Sequence, residues 1–424
     1  MKIRGTRIAV ALVTIALVAG ACGGGSSAKG DVEVFSWWTG GGEAAGLEAM
    51  IKVFAKKYPD AKFINAAVAG GAGTNARAVL ATRLQAKQPP DSFQGHAGQE
   101  LIGTYVAAGQ LEPLNQLFKD IGLTDKLPKT LIPLISQGDN IYSVPVNIHR
   151  ANVLWYNPKV LSDNGIEPPT TWDEFFAAAE KLKAAGVIPL ALGEQWTAMH
   201  LFEGVLLGTL GADKYNALWL KGADWGSADV AKAIENYKKV LEYTNDDATS
   251  LTWQDASKLV ADGQAAMNIM GDWADGYFSG TVEGGNLALT PGTDYGWAPV
   301  PGTKGIFQFL SDSFTLPKGA PHPDNAKAWL TVAGSREGQE AFNPVKGSIC
   351  ARTDCDPSLF NAYLKTAITD WSKDTIVGSL THGVVAADPF KAKINDAVGF
   401  FLNDRDGAAF QKALVDGYAA EGPK

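Results

Sequence analysis

Histidine and cysteine are scarce in this chain: five of the first and three of the second among 424 residues. The histidines are scattered and form no His-x3-His pair, which argues against a zinc enzyme of the common helical pattern. No Gly-x4-Gly-Lys-Ser/Thr phosphate loop occurs, so the chain does not bring its own nucleotide hydrolysis. No Gly-x-Ser-x-Gly elbow offers a nucleophilic serine. Apolar runs are short. The longest leading one, Ile8 to Val18, falls below the roughly 20 residues of a membrane span, and no second run reaches that length. No repeat of solenoid length is found. Positive charge is also lacking. With the three basic residues of the first segment set aside, 34 basic face 45 acidic residues, a net charge near −11. Such a balance argues against nucleic acid and against anionic membrane surfaces as partners.

The N-terminus has a processing pattern. Lys2, Arg4 and Arg7 precede the apolar run, then Ala19-Gly20-Ala21-Cys22 and Gly23-Gly24-Gly25-Ser26-Ser27. Small residues before a cysteine resemble a bacterial lipobox, with cleavage before Cys22 and a lipid on its sulfur. Residues 1–21 are then a lipoprotein signal peptide and residues 22–30 a flexible tether. The alternative is an ordinary signal peptide and release. Export leaves Cys350 and Cys355, which are expected to form a disulfide closing a small loop. A zinc site would want more ligands, and His382 is the only histidine downstream of them.

About 400 mature residues exceed what one hydrophobic core serves, so two domains are expected. Asp31 to Ser36 alternates as a first strand and runs into Trp37-Trp38-Thr39-Gly40-Gly41-Gly42-Glu43. In open α/β sheets ligands sit beyond the carboxyl ends of strands, which places Trp37, Trp38 and Glu43 at a ligand. Indole faces and a carboxylate suit a sugar, whose C–H face stacks and whose hydroxyls donate. The other reading of the tryptophans is core packing. Gly46 to Tyr58 reads as an amphipathic helix, Lys62 to Val68 as a second strand and Asn75 to Lys87 as a helix before a third strand near Phe93. The alternation predicts βαβ units and a mostly parallel sheet. Thr171 and Glu174 have capping-box spacing for a helix ending at Gly186. Trp219, Tyr237 and Leu241 have core spacing. Ser143 to Asn147 and Val300 to Thr303 are hinge candidates between two lobes.

Gly71-x-Gly73-x-x-Ala76 with Asp91 twenty residues on matches a dinucleotide fingerprint, but it follows the second strand instead of the first, and the chain carries an export leader.

Asn152-Val-Leu-Trp-Tyr-Asn-Pro-Lys-Val-Leu, then Gly165-Ile-Glu-Pro-Pro-Thr-Thr-Trp-Asp-Glu-Phe, resembles a segment of the extracellular solute-binding proteins of carbohydrate ABC importers. The leader and the strand–Trp-Trp start fit the same family, and the glucose/mannose-binding group fits best. The resemblance implies an α/β, two-lobed periplasmic-binding-protein-like fold with hinge strands and an interdomain ligand cleft. Residues 31–145 plus about 304–345 would form the first lobe, and 146–303 plus about 346–424 a helix-rich second. It implies ligand contacts from Trp37, Trp38 and Glu43, from Gln94 and His96, and from Trp273 in Met270-Gly-Asp-Trp273. Asp312 in Leu310-Ser-Asp312-Ser, Lys346 in Asn343-Pro-Val-Lys346-Gly and His382 in Thr381-His382-Gly complete the set. Read alone, Trp273 could be core, Lys346 a solvated cap, Asp312 a turn former and His382 a loop residue. The expected ligand is a monosaccharide such as a glucose-like aldohexose, with no cofactor and no metal. The expected partners are ABC permease subunits, and the membrane only through Cys22, for an extracytoplasmic monomer. The competing reading is an anchored glycoside hydrolase using paired carboxylates such as Glu43 and Asp312.

Overall fold

A computed structural model describes residues 28–70 and 73–423. The Cys22 leader and Gly71 lie outside the described residues. Among those described, no helix is long and apolar enough to cross a membrane.

Three sheets carry the architecture. The first has five strands in the order Ala61–Asn65, Gly30–Phe35, Ser92–His96, Asp312–Thr315 and Ser143–Pro145. The first three are parallel, as βαβ alternation requires; the last two are antiparallel. The second sheet orders Gly296–Pro299, Val153–Tyr156, Ala265–Ile269 and Ile188–Ala191, with one parallel pair. The third orders Ile349–Cys350, Asn147–Arg150, Ile306–Leu310 and Thr375–Gly378. The expected mostly parallel sheet thus holds only for the N-terminal three strands. The other strands arrive from distant parts of the chain, where no βαβ crossover fixes their direction.

The helices follow the sequence signals. Leu47, Met50 and Phe54 bury one face of the helix Gly41–Lys57, which begins five residues earlier than its apolar periodicity suggests. The Gly-rich turn therefore forms its first turn, and Glu43 lies there, where a carboxylate suits the helix dipole. The helix Trp172–Ala184 has the full capping box: Thr171 accepts from the Glu174 N–H, and Glu174 accepts from the Thr171 N–H. Thr171→Ala is expected to cost about 1 kcal/mol, read as a lower midpoint in urea unfolding.

Two large cores result. One gathers Trp38, Phe54, Phe93, Phe314 and Trp329 under the first sheet. The other gathers Phe175, Phe202, Trp219, Tyr237 and Phe401 under the second. Trp219, Tyr237 and Leu241 are buried in the second core, as their spacing suggests.

The chain leaves the first sheet at Pro145, enters the third at Asn147 and reaches the second at Val153. Its return runs through Ile306–Leu310 and re-enters the first sheet at Asp312, so the step between sheets falls at Ser311. Val300 to Thr303, the second hinge candidate, instead packs on the second core. The Gly302 N–H bonds the Thr170 carbonyl at 2.8 Å, and Val300 is buried there. Cys350 and Cys355 are disulfide-bonded, which ties off the short strand Ile349–Cys350 where it pairs with Asn147 and Ile148.

Candidate functional site

Strand ends converge on one cavity of about 240 Å³. Trp37 and Trp38 follow the strand Gly30–Phe35, and His96 ends the strand Ser92–His96. Asp312 begins an antiparallel strand and pairs with His96, so both sit at the same edge of the sheet. His149 comes from the third sheet. Trp273 follows Ala265–Ile269, and His382 follows Thr375–Gly378. Lys346 is the last residue of the helix Arg336–Lys346. Of the expected contacts, Trp37, Trp38, Glu43, His96, Trp273, Asp312, Lys346 and His382 line the cavity.

Gln94 does not line it. Its Nε2 donates to Asp312 Oδ1 at 2.8 Å, and its Oε1 accepts from the Trp37 N–H at 3.2 Å. It shares its strand face with His96 but stands two residues further back from the strand's end, so Asp312 and Trp37 lie between it and the cavity. Asn147 braces the other side: its Nδ2 donates to Asp312 Oδ2 at 2.7 Å, and its Oδ1 accepts from the Asp312 N–H at 2.7 Å.

Trp37 and Trp38 are both cavity wall and core. Trp38 is only 1% exposed and packs against Phe314 and Phe342. Trp37, 8% exposed, has its ring 5.0 Å from that of His96. Trp273 meets His382 at 5.0 Å and His149 at 5.4 Å, ring to ring. A Cβ on Gly271 would stand 2.2 Å from the Trp273 ring, so only glycine lets the indole lie across the strand end.

Asp312 lies between two imidazoles. His96 Nε2 is 3.7 Å from its Oδ1, and His149 Nε2 is 3.5 Å from its Oδ2. Each ring is held from behind at Nδ1 by a buried carboxylate: His96 by Glu100 at 3.0 Å, His149 by Asp272. Burial opposes ionisation of Asp312, but the His149 hydrogen bond and the charges of His96, His149 and Lys346 outweigh it, holding the carboxyl well below its ordinary range. Burial also opposes the charge on His149; the Asp272 carboxylate overrides it and raises His149 above 6.5. Lys346, 1% exposed, donates to Glu43 Oε1 at 3.2 Å and stands 5.7 and 5.8 Å from the Trp38 and Trp273 ring centres. A buried ammonium so placed keeps both an ion pair and two aromatic faces.

These groups can hold a small neutral solute with many hydroxyls. Asp312 and Glu43 accept, Lys346 donates, and the imidazoles do either according to tautomer. Asp312, held ionised, is a poor proton donor, and a glycosidase acid needs a raised pKa. His200, Glu203 and His382 bring one ligand atom each within 4.8 Å of one another, close enough for a metal ion. Glu203, however, already accepts from the N–H groups of Leu380 and Thr381 and from the Ser379 hydroxyl.

The sequence reading missed His149, Glu194, Trp196, Thr252 and Trp253, all on the cavity wall. The strand-end rule would have found two of them. Glu194 and Trp196 follow the strand Ile188–Ala191 just as Trp37 follows the first strand, and Glu194 Oε1 accepts from the Trp196 indole at 2.9 Å. His149 lies inside a strand, and nothing local marks it.

Just behind the wall, Asp275 accepts from the Tyr295 hydroxyl at 2.6 Å and from Asn361 at 2.8 Å. Burial raises it to about 7, against an ordinary 3.8. A carboxyl that stays protonated only when folded loses stability as pH rises from 3.8 to about 7. The raised His149 acts in the same direction: its contribution is full below 6.5 and is lost as pH climbs through its folded value. The lowered Asp312 acts oppositely, with a contribution present above 3.8 and lost in stronger acid. The buried His382, pushed well below 6.5, opposes Asp275 and His149 in this range, so the readout is a difference: the melting temperature of wild type minus that of Asp275→Asn is expected to be larger at pH 5 than at pH 8. The same difference at both pH values would overturn the assignment.

The family model for bacterial extracellular solute-binding proteins matches residues 38–340. An uncharacterized ABC transporter extracellular-binding protein of Pyrococcus horikoshii is 36% identical over 413 residues, covering 94% of this chain and 91% of that protein. A protein of Brucella suis named "Probable sugar-binding periplasmic protein" is 35% identical over 380 residues, 87% of each chain. Among solved structures, the bacterial solute receptor AcbH, described as having an exclusive preference for β-D-galactopyranose, superposes with a TM-score of 0.78. It shares 19% identity, over 93% of this chain and 98% of that one.

Proposed function

This chain belongs to the bacterial extracellular solute-binding proteins, and we propose that it captures a monosaccharide, a glucose-like aldohexose, for an ABC importer. Membership makes it a binding protein and not the glycoside hydrolase that its carboxylates also suggested. The observation that carries the sugar reading is the cavity wall, where the indoles of Trp37, Trp196, Trp253 and Trp273 surround Asp312, Glu43 and Lys346. Indoles stack on the C–H face of a pyranose, and the charged groups take its hydroxyls. The small volume, below the roughly 300–1,000 Å³ of drug-sized sites, favours one ring over several.

In this reading the lobes close by rotation at Val146 and Ser311, where the chain passes between sheets, and at Gly347–Ser348, where the helix Arg336–Lys346 leads into the strand Ile349–Cys350. Closure removes water from the solute and strengthens its polar bonds. The loaded protein docks on membrane permease subunits, and the monomer is tethered outside the membrane by lipid on Cys22.

Isothermal titration calorimetry of the chain lacking residues 1–29, against mono- and disaccharides, tests the reading. One-to-one binding near micromolar, about −8 kcal/mol, is expected for a monosaccharide that is recovered unchanged. Absence of heat with every sugar would overturn it; preference for a disaccharide would overturn the single-ring assignment.

A further inference from the structure

Behind His382, which lines the cavity, runs a chain of buried polar groups, Ser379, Glu203 and His200. At its far end is His200, 1% exposed, in the helix Gln195–Ala217. Its Nε2 lies 3.0 Å from the Ala151 carbonyl, which can only accept, so Nε2 carries a hydrogen. Its Nδ1 then faces Glu203 Oε1 at 3.3 Å. Glu203 is fully buried, yet well supplied with donors. Its Oε2 accepts from the backbone of Leu380 at 2.6 Å and of Thr381 at 2.9 Å.

Ser379 links this carboxylate to the cavity. Its Oγ is 2.9 and 3.1 Å from the two Glu203 oxygens and 2.9 Å from His382 Nδ1, and it accepts from the His382 N–H at 3.3 Å. A hydroxyl has one hydrogen and two lone pairs. An ionised carboxylate only accepts, so the hydrogen goes to Glu203. Both lone pairs are left for His382, one for its backbone N–H and one for Nδ1. Nδ1 must therefore donate. A neutral imidazole with its hydrogen on Nδ1 has a bare Nε2. That atom has no hydrogen-bond partner among the described residues, and the ring lines the cavity beside Trp273 and His96.

We propose that Glu203, acting through Ser379, is a positioning residue that locks His382 in the Nδ1–H tautomer, so that Nε2 presents a hydrogen-bond acceptor to a solute hydroxyl. The inference deepens the sugar reading and rests on it for the identity of the solute. It makes His382 a selective contact: a hydroxyl can donate to it, whereas a hydrogen or fluorine in that place cannot. Burial, followed by the charges of His96, His200 and Lys391, pushes His382 well below 6.5, which keeps the ring neutral as an acceptor requires. The loop keeps its two backbone bonds to Glu203 when the serine hydroxyl is removed, so Ser379→Ala isolates the relay from the fold.

Nitrogen-15 labelling of histidine and long-range proton–nitrogen correlation read the tautomer directly, with no solute present. The expected wild-type pattern is a protonated Nδ1 and a bare Nε2 on His382. Ser379→Ala and Glu203→Gln should each move the proton toward Nε2. Ser379→Ala should also weaken the sugar found by calorimetry about fivefold or more, and should narrow its preference over the deoxyfluoro analogue. A wild-type His382 with its proton on Nε2 would overturn the proposal, as would a tautomer unmoved in Ser379→Ala. The expected tautomer together with no binding of any sugar would uphold the relay and remove the sugar reading instead.

Discussion

Replacing Asp312 with alanine is expected to weaken sugar binding about tenfold to a hundredfold. The carboxylate is buried and ionised; Asn147 and His149 occupy Oδ2, while Oδ1 keeps a lone pair beyond the one taken by Gln94. One charge-assisted bond at about 1.5–3 kcal/mol gives roughly one to two decades of affinity. The same substitution strips Gln94 Nε2 and Asn147 Nδ2 of their acceptor and leaves His96, His149 and Lys346 without a common counter-charge. Some loss of stability therefore accompanies it, because buried donors left unpaired cost about 1–3 kcal/mol each. Asp312→Asn keeps the volume and gives the cleaner measurement. A dissociation constant for the Asn variant within threefold of wild type, in a protein that melts normally, would reduce Asp312 to a structural brace.

Trp273→Ala is expected to cost at least tenfold in affinity. Stacking a sugar ring on an indole removes apolar surface from water, and a full side chain's worth is about 1.5–3 kcal/mol, one to two decades. Trp273 is suited to this task because its neighbours fix its plane. His149, His200, His382 and Trp196 crowd its edges, and Lys346 stands over its ring. Trp273→Phe should recover part of the loss, since a smaller ring retains some of the stacking area. Gly271→Ala should imitate the loss with the indole still present, because the added methyl occupies the space of the ring. An unchanged dissociation constant in Trp273→Ala would assign the indole to the core alone.

Three of the five tryptophans on the cavity wall were legible in the sequence, and two were not. Trp37 and Trp38 stand out locally, two indoles between an alternating strand and three glycines. Trp196 and Trp253 each open a helix, where a tryptophan is unremarkable. Gln94 was placed in the right neighbourhood but braces Asp312 from behind the wall, because two residues along one strand face separate the end that meets the cavity from the part packed against Asp312 and Trp37. Glu203 was invisible: a glutamate inside an apolar helix carries no local sign that three groups of a loop 176 to 178 residues away will meet it.

Short-range patterns determined what the sequence could determine. Alternation marked the strands, capping chemistry marked the helix at Thr171, and length with composition implied two cores. Each depends on neighbours within a turn or a few residues, where local sterics and hydrogen bonding dominate. Tertiary structure decided the rest. The pairing of Asp312 with His96 joins residues 216 positions apart, and that register puts a carboxylate between two imidazoles. The return crossing at Ser311 and the bracing by Gln94 and Asn147 belong to the same pairing, and the hydrogen bonds of Glu203 to the loop at Ser379 join residues as distant. A buried polar group keeps its place only when distant partners satisfy it, so its role is settled where those partners meet and not where it stands in the chain.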